Sequence, residues 1–342
     1  MSKSGGLFSF VQSVGIDLGT ARTRIWTDRG GIVVDEPTCL AVEKNSGKVV
    51  AVGTEALQMR GRSNQTTTVL HPVQAGKIHN LDVCRTFLQI LLQPVLRGTL
   101  FSPTYMISVP VSNTPAADAA VTQLCYQLGA RQVYLLAQPL AAAIGAGVPI
   151  ADSSGAFVLQ MGAGLVEAAV ISLGSTALHR ATNIAGERAT RQIELLLMTE
   201  HQIVLAQDTL EKVKHVVVGA PGAGGKEIVV TGKSTERGVP EQITIDSTML
   251  EPAVSWLAEK YVALVRKMLI DAPPELAVDV VDKGVLLSGG WAQLRGWEEF
   301  FTSRLGVPVS LIDEQPELCV VEGLGKVLQN LGDFTQSLGY GR

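Results

Sequence analysis

The chain has 342 residues, room for two domains or one duplicated domain at about 150 residues each. Lys and Arg number 28 against 32 Asp and Glu, a net charge of −4, and only 18% of residues are charged against 46% hydrophobic; a basic nucleic-acid binder and an acidic disordered tail are both disfavoured. Mean hydropathy is +0.25, so an apolar surplus needs a place. A bilayer-spanning helix does not supply it. The longest apolar stretch, 133–151, is interrupted by Gln138, Pro139, Gly145, Gly147 and Pro149, poor material for a span of about 20 residues. The cluster 7–11 lacks a small-residue cleavage site, which argues against a secretory signal, and Ser2 does not fit N-myristoylation. Cys39, Cys84, Cys125 and Cys319 show no C-x-x-C spacing, so neither a disulfide framework nor a zinc site is expected and a reducing cytoplasm fits.

In chain order, strand-like and helix-like runs alternate, as in an α/β protein. Residues 14–26 read as two short strands around a Gly-Thr turn, followed by strands at 31–40 and 48–52. Apolar residues at helical spacing (Leu81, Cys84, Phe87, Leu88, Leu91) predict an amphipathic helix over 81–96. A buried strand at 105–110 precedes a helix at 114–128, with Pro115 in its first turn and Gly129 just past its end. A strand at 133–136 and an Ala-rich helix at 139–147 follow. Residues 157–173 then repeat the opening hairpin around a Gly-x-Gly turn, setting Asp17 against Gln160 and Gly19 against Gly162. Helices are expected at 187–202, 208–216 and 247–271, strands at 226–231, 242–246 and 284–288, and a loop at 219–225.

The segment 220–226, APGAGGK, ends like a phosphate-binding loop. Its next residue is Glu227 where a Mg²⁺-binding hydroxyl is required, and a strand follows where a helix should, so a flexible turn is the better reading. The informative motif is Asp17-Leu18-Gly19-Thr20-Ala21-Arg22-Thr23. A Gly in a tight hairpin lets backbone N–H groups approach a phosphate, Thr hydroxyls add donors, and a preceding Asp can hold Mg²⁺ through water. The repeated hairpin, Gly289-Gly290 after a buried strand, and Glu211 with Lys214 on one helix face add weight. The plain alternative for Glu211 and Lys214 is a solvated ion pair.

GIDLGTARTRIW, GIVVDEPTCLAV, GKVVAVGTEA, GARQVYLLAQPLAAAIGAGVPI, AVISLG, PPELAVDVVDKGVLLSGG and WAQLRG, in that order, resemble the MreB family of bacterial actins over essentially the whole chain. The resemblance implies an α/β, actin-like (ribonuclease H-like) duplicated two-lobe fold with a nucleotide cleft between the lobes. It places an N-terminal lobe at 1–150, with an inserted subdomain at about 31–77 and a closing C-terminal helix at about 319–342. A second lobe spans 151–318, with an insertion at about 190–240. The implied nucleotide-binding residues are Asp17, Gly19, Thr20, Ala21, Arg22, Thr23, Gly162, Ala163, Gly164, Gly186, Glu211, Lys214, Ser288, Gly289, Gly290 and Trp291. The implied cofactor is ATP or ADP, with Mg²⁺ reached from Asp17 through water.

Several positions depart from the family pattern. Where MreB resembles D-I-G-G-G-T-T-E, this chain has Gln160-Met161-Gly162-Ala163-Gly164-Leu165-Val166-Glu167, losing a carboxylate, the middle glycine and both hydroxyls. A hard-cation site is weakened by losing an anion, and Leu165 and Val166 offer no phosphate donors. Gln138 stands where the family has an acidic residue thought to position the attacking water; an amide also orients water in phosphate hydrolysis, and actin looks similar there. Arg22 replaces the usual Asn, either as a counter-charge for the phosphates or as a plain surface arginine, and Trp291 replaces a third glycine, either stacking on adenine or filling the pocket.

Leu7, Phe8 and Phe10 lie where many MreB proteins carry an apolar leader, and Leu100-Phe101 resembles the family's membrane-inserting loop; ordinary packing and exposed surface are the alternatives. The resulting expectation is an ATP-binding cytoskeletal subunit, cytoplasmic and peripheral at the cytoplasmic membrane, polymerising head to tail into filaments that organise cell shape or envelope machinery. Its partners would be itself, inner-membrane lipid, and another MreB or envelope morphogenesis proteins, with no nucleic acid. Hydrolysis would be slow or absent, a weak cytoskeletal ATPase at most. Two alternatives stay open: a non-hydrolysing adaptor that caps or copolymerises with a true MreB, and an active ATPase filament using backbone donors at the second turn.

Overall fold

The computed structural model describes residues 11–61 and 66–338. Two compact units emerge, the first from the chain up to Gln58, from 66 to Val148, and from Leu318 onward, the second from Pro149–Glu317 with the short piece 59–61.

The first unit begins with β1 (Ser13–Leu18), β2 (Arg22–Thr27) and β3 (Gly31–Pro37), an antiparallel meander. The run 31–40 does not continue as one strand: the chain turns at Thr38-Cys39 and starts β4 (Leu40–Glu43), which pairs with β5 (Val49–Val52). After α1 (Gly53–Met59), β6 (Thr67–Leu70) joins β4 in a small sheet, and β7 (Val73–Gln74) and β8 (Lys77–Ile78) form a minimal hairpin. Asn80 caps α2 (Leu81–Val95) by accepting from Val83 N–H, and the helix buries Cys84, Phe87, Leu88 and Leu91, the face its spacing predicts. β9 (Thr104–Val109) is buried throughout. Thr114 caps α3 (Pro115–Gln127), and β10 (Gln132–Ala137) leads directly into α4 (Gln138–Gly145).

The second unit opens with β11 (Ala156–Met161), β12 (Val166–Ser172) and β13 (Ser175–Thr182), again an antiparallel meander. β13 escapes the sequence reading because its alternating positions are exposed or half-buried, with few large apolar side chains. Then come α5 (Gly186–Glu200), β14 (Ile203–Val204), α6 (Gln207–Val217), β15 (Glu227–Ser234) and β16 (Pro240–Asp246), with β14 to β16 forming an inserted three-stranded sheet. Asp246 caps the 25-residue helix α7 (Ser247–Asp271) through Thr248 and Met249 N–H. α8 (Pro274–Lys283), β17 (Val285–Ser288), a 3₁₀ turn at Gly290–Gln293, α9 (Trp297–Leu305) and β18 (Val309–Leu311) complete this unit.

The main sheets run β10-β9-β1-β2-β3 in one unit and β18-β17-β11-β12-β13 in the other. Strand for strand the directions agree: three antiparallel strands, then two parallel to the first. Each meander even carries an irregularity in its outer pair, after Ile25 and after Val170. The chain is thus an internally duplicated α/β fold, and central strands such as β9, β11 and β12, buried at every position, absorb the apolar surplus.

The expected C-terminal helix breaks at Asn330 into α10 (Cys319–Gln329) and α11 (Leu331–Leu338), and α10 returns to the first unit. It crosses α4 at backbone distance. A Cβ on Gly323 would be driven into the Ala141 carbonyl, and one on Gly145 into the Cys319 carbonyl. Lys326 Nζ then donates to the Gly145 carbonyl, covering an acceptor left over at the end of α4. No described helix is long and apolar enough to cross a membrane.

Candidate functional site

Both meanders make their first turn in the same way. Gly19 N–H donates to the Arg22 carbonyl at 3.1 Å, and Gly162 N–H donates to the Leu165 carbonyl at 2.9 Å. A Cβ at Gly19 would sit 2.7 Å from the Arg22 oxygen, and one at Gly162 would sit 2.8 Å from the Leu165 oxygen. Glycine is therefore required by close approach in each turn.

Around the first turn, Thr38 Oγ1 donates to the Gly19 carbonyl at 2.8 Å, which leaves Thr23 Oγ1 as the donor in their 2.8 Å contact. Thr20 Oγ1 accepts from Gly76 N–H at 2.9 Å and keeps its own proton for another acceptor. Asp17, buried at the end of β1, accepts from Ser108 Oγ at 2.7 Å. Burial pushes its carboxyl above the ordinary range, with the Ser108 bond and the Arg24 charge opposing the shift. Arg22 is turned to the neighbouring strand: Nε lies 2.5 Å from Asp35 Oδ1 and Nη2 donates to the Asp35 carbonyl at 2.7 Å. Arg24 shares the same carboxylate at 3.3 Å, so the cation expected at the turn has its counter-ion on β3. Ala21 is exposed, and Gln138 is half-buried at the start of α4.

The second turn is fastened to a helix. Gly186 N–H donates to the Gly162 carbonyl at 3.2 Å and Glu187 N–H to the Ala163 carbonyl at 2.7 Å, satisfying two of the amides that open α5. Gln160 is 8% exposed, and its Oε1 has no partner among the described residues. Val166 is fully buried and Leu165 half-buried, and their hydrocarbon side chains offer no donor where the resemblance led to hydroxyls.

Beside this turn lies a charged cluster. Lys214 is 8% exposed; Nζ donates to Thr190 Oγ1 at 2.8 Å and pairs with Glu211 Oε2 at 2.5 Å. Thr190 Oγ1 in turn reaches Glu211 Oε1 at 3.0 Å and the Gly186 carbonyl at 3.2 Å. This is not a solvated surface pair. Lys214 Nζ also stands 5.9 Å from the centroid of Trp291, whose indole is 5% exposed and belongs to the core, 6.4 Å from the Trp297 ring. Nearby, Ser288 Oγ and Gly289 N–H both donate to the Pro316 carbonyl at 3.0 Å, Gly289 takes φ +89°, and Gly290 is exposed.

Thr38, Ser108 and Thr190 were not singled out from the sequence, because their partners are remote in the chain. Thr190 alone left a trace, four residues after Gly186 and hence on its helix face. Leu7, Phe8 and Phe10 lie outside the described residues; Leu100 and Phe101 stand 73% and 76% exposed between α2 and β9.

The profile of the MreB/Mbl protein family matches residues 11–336. The chain belongs to the MreB/Mbl family. It is 34% identical to the cell shape-determining protein Mbl of Bacillus subtilis, over 94% of this chain and 97% of that one. It is also 34% identical to the cell shape-determining protein MreB of Escherichia coli K12, over 96% of each chain. The fold is actin-like: it matches MreB5 of Spiroplasma citri bound to AMPPNP with a TM-score of 0.90 at 23% identity, covering 95% and 98% of the two chains. A MamK double helical filament matches with a TM-score of 0.78 at 18% identity, covering 93% and 98%. Against this MreB background, the Gly turns and the buried Lys214 cluster fit a nucleotide, since glycine takes the side chain away from each turn and the lysine is already held by Glu211 and Thr190. No group of three or more His, Cys, Asp or Glu gathers among the described residues, and the position opposite Asp17 in the duplication is Gln160.

Proposed function

We propose that this chain is a cell shape-determining actin homologue that binds adenine nucleotide, polymerises into membrane-associated filaments, and hydrolyses ATP slowly or not at all. The observation that carries the nucleotide reading is the pair of Gly turns closed by the same backbone bond, one in each unit. The Spiroplasma relative's nucleotide-bound structures and the MamK filament support binding and self-association in this fold. Gln160 supports the slow-turnover clause, because a neutral amide in place of an anion holds a hard cation less firmly.

The same residue favours a second reading, a non-hydrolysing subunit that caps or copolymerises with a true MreB or scaffolds envelope proteins. Two measurements decide between them. Phosphate release with ATP and Mg²⁺ is expected at or near background, and negative-stain microscopy with ATP is expected to show filaments of this chain alone. Filaments that form only with a second MreB present favour the adaptor; brisk phosphate release overturns the slow-turnover clause.

Leu100 and Phe101 support the membrane clause. Each buried apolar side chain contributes about 1.5–3 kcal/mol, so one subunit binds weakly and a filament binds through many copies. Filaments of a Leu7, Phe8, Leu100 and Phe101 to Ser quadruple variant are expected to stay in the supernatant when liposomes of anionic phospholipid are pelleted, whereas wild type pellets. Equal pelleting of the two removes the membrane clause.

A further inference from the structure

The first Gly turn stands on a row of charges that crosses three strands. Register sets Asp17 on β1 opposite Arg24 on β2, and Arg24 opposite Asp35 on β3. Residues paired in this way project to one side of a sheet, and Arg22, two positions from Arg24, projects there too. Four charges therefore share one face, two of each sign. Arg22 takes Asp35 closely, with Nε 2.5 Å from Oδ1 and Nη2 bonded to the Asp35 carbonyl, whereas Arg24 Nε reaches the same Oδ1 only at 3.3 Å. The Arg24 side chain is 10% exposed and that of Arg22 42%. One pair, Leu18 with Thr23, separates the row from the turn, so Arg24 stands beneath the turn at the level of Asp17. In the duplicated turn the corresponding pair is Gln160 with Glu167, an acid where the first turn has its arginine.

We propose that Arg24 is a phosphate-binding residue of the first turn, and that Asp35 restrains it and so sets how tightly the polyphosphate is held. This rests on the nucleotide-binding reading above. A phosphate arriving at the Gly19 turn meets the Asp17 carboxylate nearby, and a cation directly across the strand offsets that repulsion. A guanidinium is always charged, and its planar fork of donors matches phosphate oxygens two at a time. Turning Arg24 toward the ligand strands no carboxylate, because Arg22 keeps Asp35 paired. Thr20, whose hydroxyl proton is uncommitted, completes the donor set on the same turn.

Isothermal titration of the full chain with ATP and with ADP tests it. Arg24→Gln is expected to weaken both by about tenfold, and its ATP affinity to fall less steeply than that of wild type as NaCl is raised. Asp35→Asn, which loosens the restraint, is expected to tighten both by about threefold. Opposite signs from the two partners of one ion pair are what a purely structural pair does not give. An Arg24→Gln chain that binds as wild type does, or an Asp35→Asn chain that fails to bind more tightly, overturns the inference and leaves nucleotide binding standing. No binding by wild type overturns both. Arg22→Gln is expected to weaken binding by only about threefold, because it hands Asp35 wholly to Arg24; a loss larger than that of Arg24→Gln overturns the assignment to Arg24. Should Arg24→Gln fail to fold by circular dichroism, the double variant Arg24→Gln with Asp35→Asn, which removes both charges of the pair, takes its place. It is expected to bind about tenfold more weakly than Asp35→Asn alone, and equal affinity of the two overturns the inference.

Discussion

Gly323→Val is expected to lower the stability of the first unit by about 3 kcal/mol or more, read as a lower urea midpoint. The cause is the crossing of α4 and α10. The atom that a Cβ at Gly323 meets is the Ala141 backbone carbonyl, and a backbone cannot change rotamer to give way. Sliding the helices apart is also costly, since Val320, Val321 and Leu324 on the same helix are buried and would lose their contacts. The mirrored contact of Gly145 with the Cys319 carbonyl predicts the same outcome for Gly145→Val. Gly332, with nothing within 4 Å of its Cβ position, is the control: Gly332→Ala is expected to leave the midpoint unchanged or slightly raised.

Gln160→Asp is expected to make nucleotide binding depend on Mg²⁺, with ATP held about tenfold more tightly in Mg²⁺ than in EDTA. The substitution restores an anion at the position equivalent to Asp17. It also carries a cost that can be measured without any nucleotide. Gln160 is paired across the strands with Glu167, which is fully buried, so the new carboxylate would face another acid with little water to screen it. A lower melting temperature in EDTA, largely recovered when Mg²⁺ and ATP are added together, is the expected pattern. A variant that is as stable as wild type and indifferent to Mg²⁺ would mean that this position does not face the phosphates.

The parts of this protein that could be read from the residues are those whose cause is local. The two hairpins follow from strand alternation around a glycine that needs close approach, and α2 follows from an apolar spacing that the structure buries face for face. Asp17, Gly19, Gly162, Glu211 and Lys214 stood out as candidate site residues because their residue types carry the chemistry themselves. What stayed hidden depends on distant chain. The partner of Arg22 is Asp35, visible only once β2 and β3 are in register. Ser108 reaches Asp17 from 91 residues away, and Trp291 turns into the core because Trp297 is there to receive it. Periodicity contains none of these, and α8, which starts at a Pro-Pro pair, was hidden by its own first residues.

The hydrogen bond that closes each Gly turn runs from backbone to backbone. Nothing in it depends on what the intervening side chains are. Leu165 and Val166 in one turn therefore hold the same loop as Arg22 and Thr23 in the other. The shape of the turn is thus set apart from its side-chain chemistry: the same backbone bond closes both loops although their side chains differ. A descendant of an ATP-driven polymer that took this path would keep its assembly geometry long after its clock had stopped.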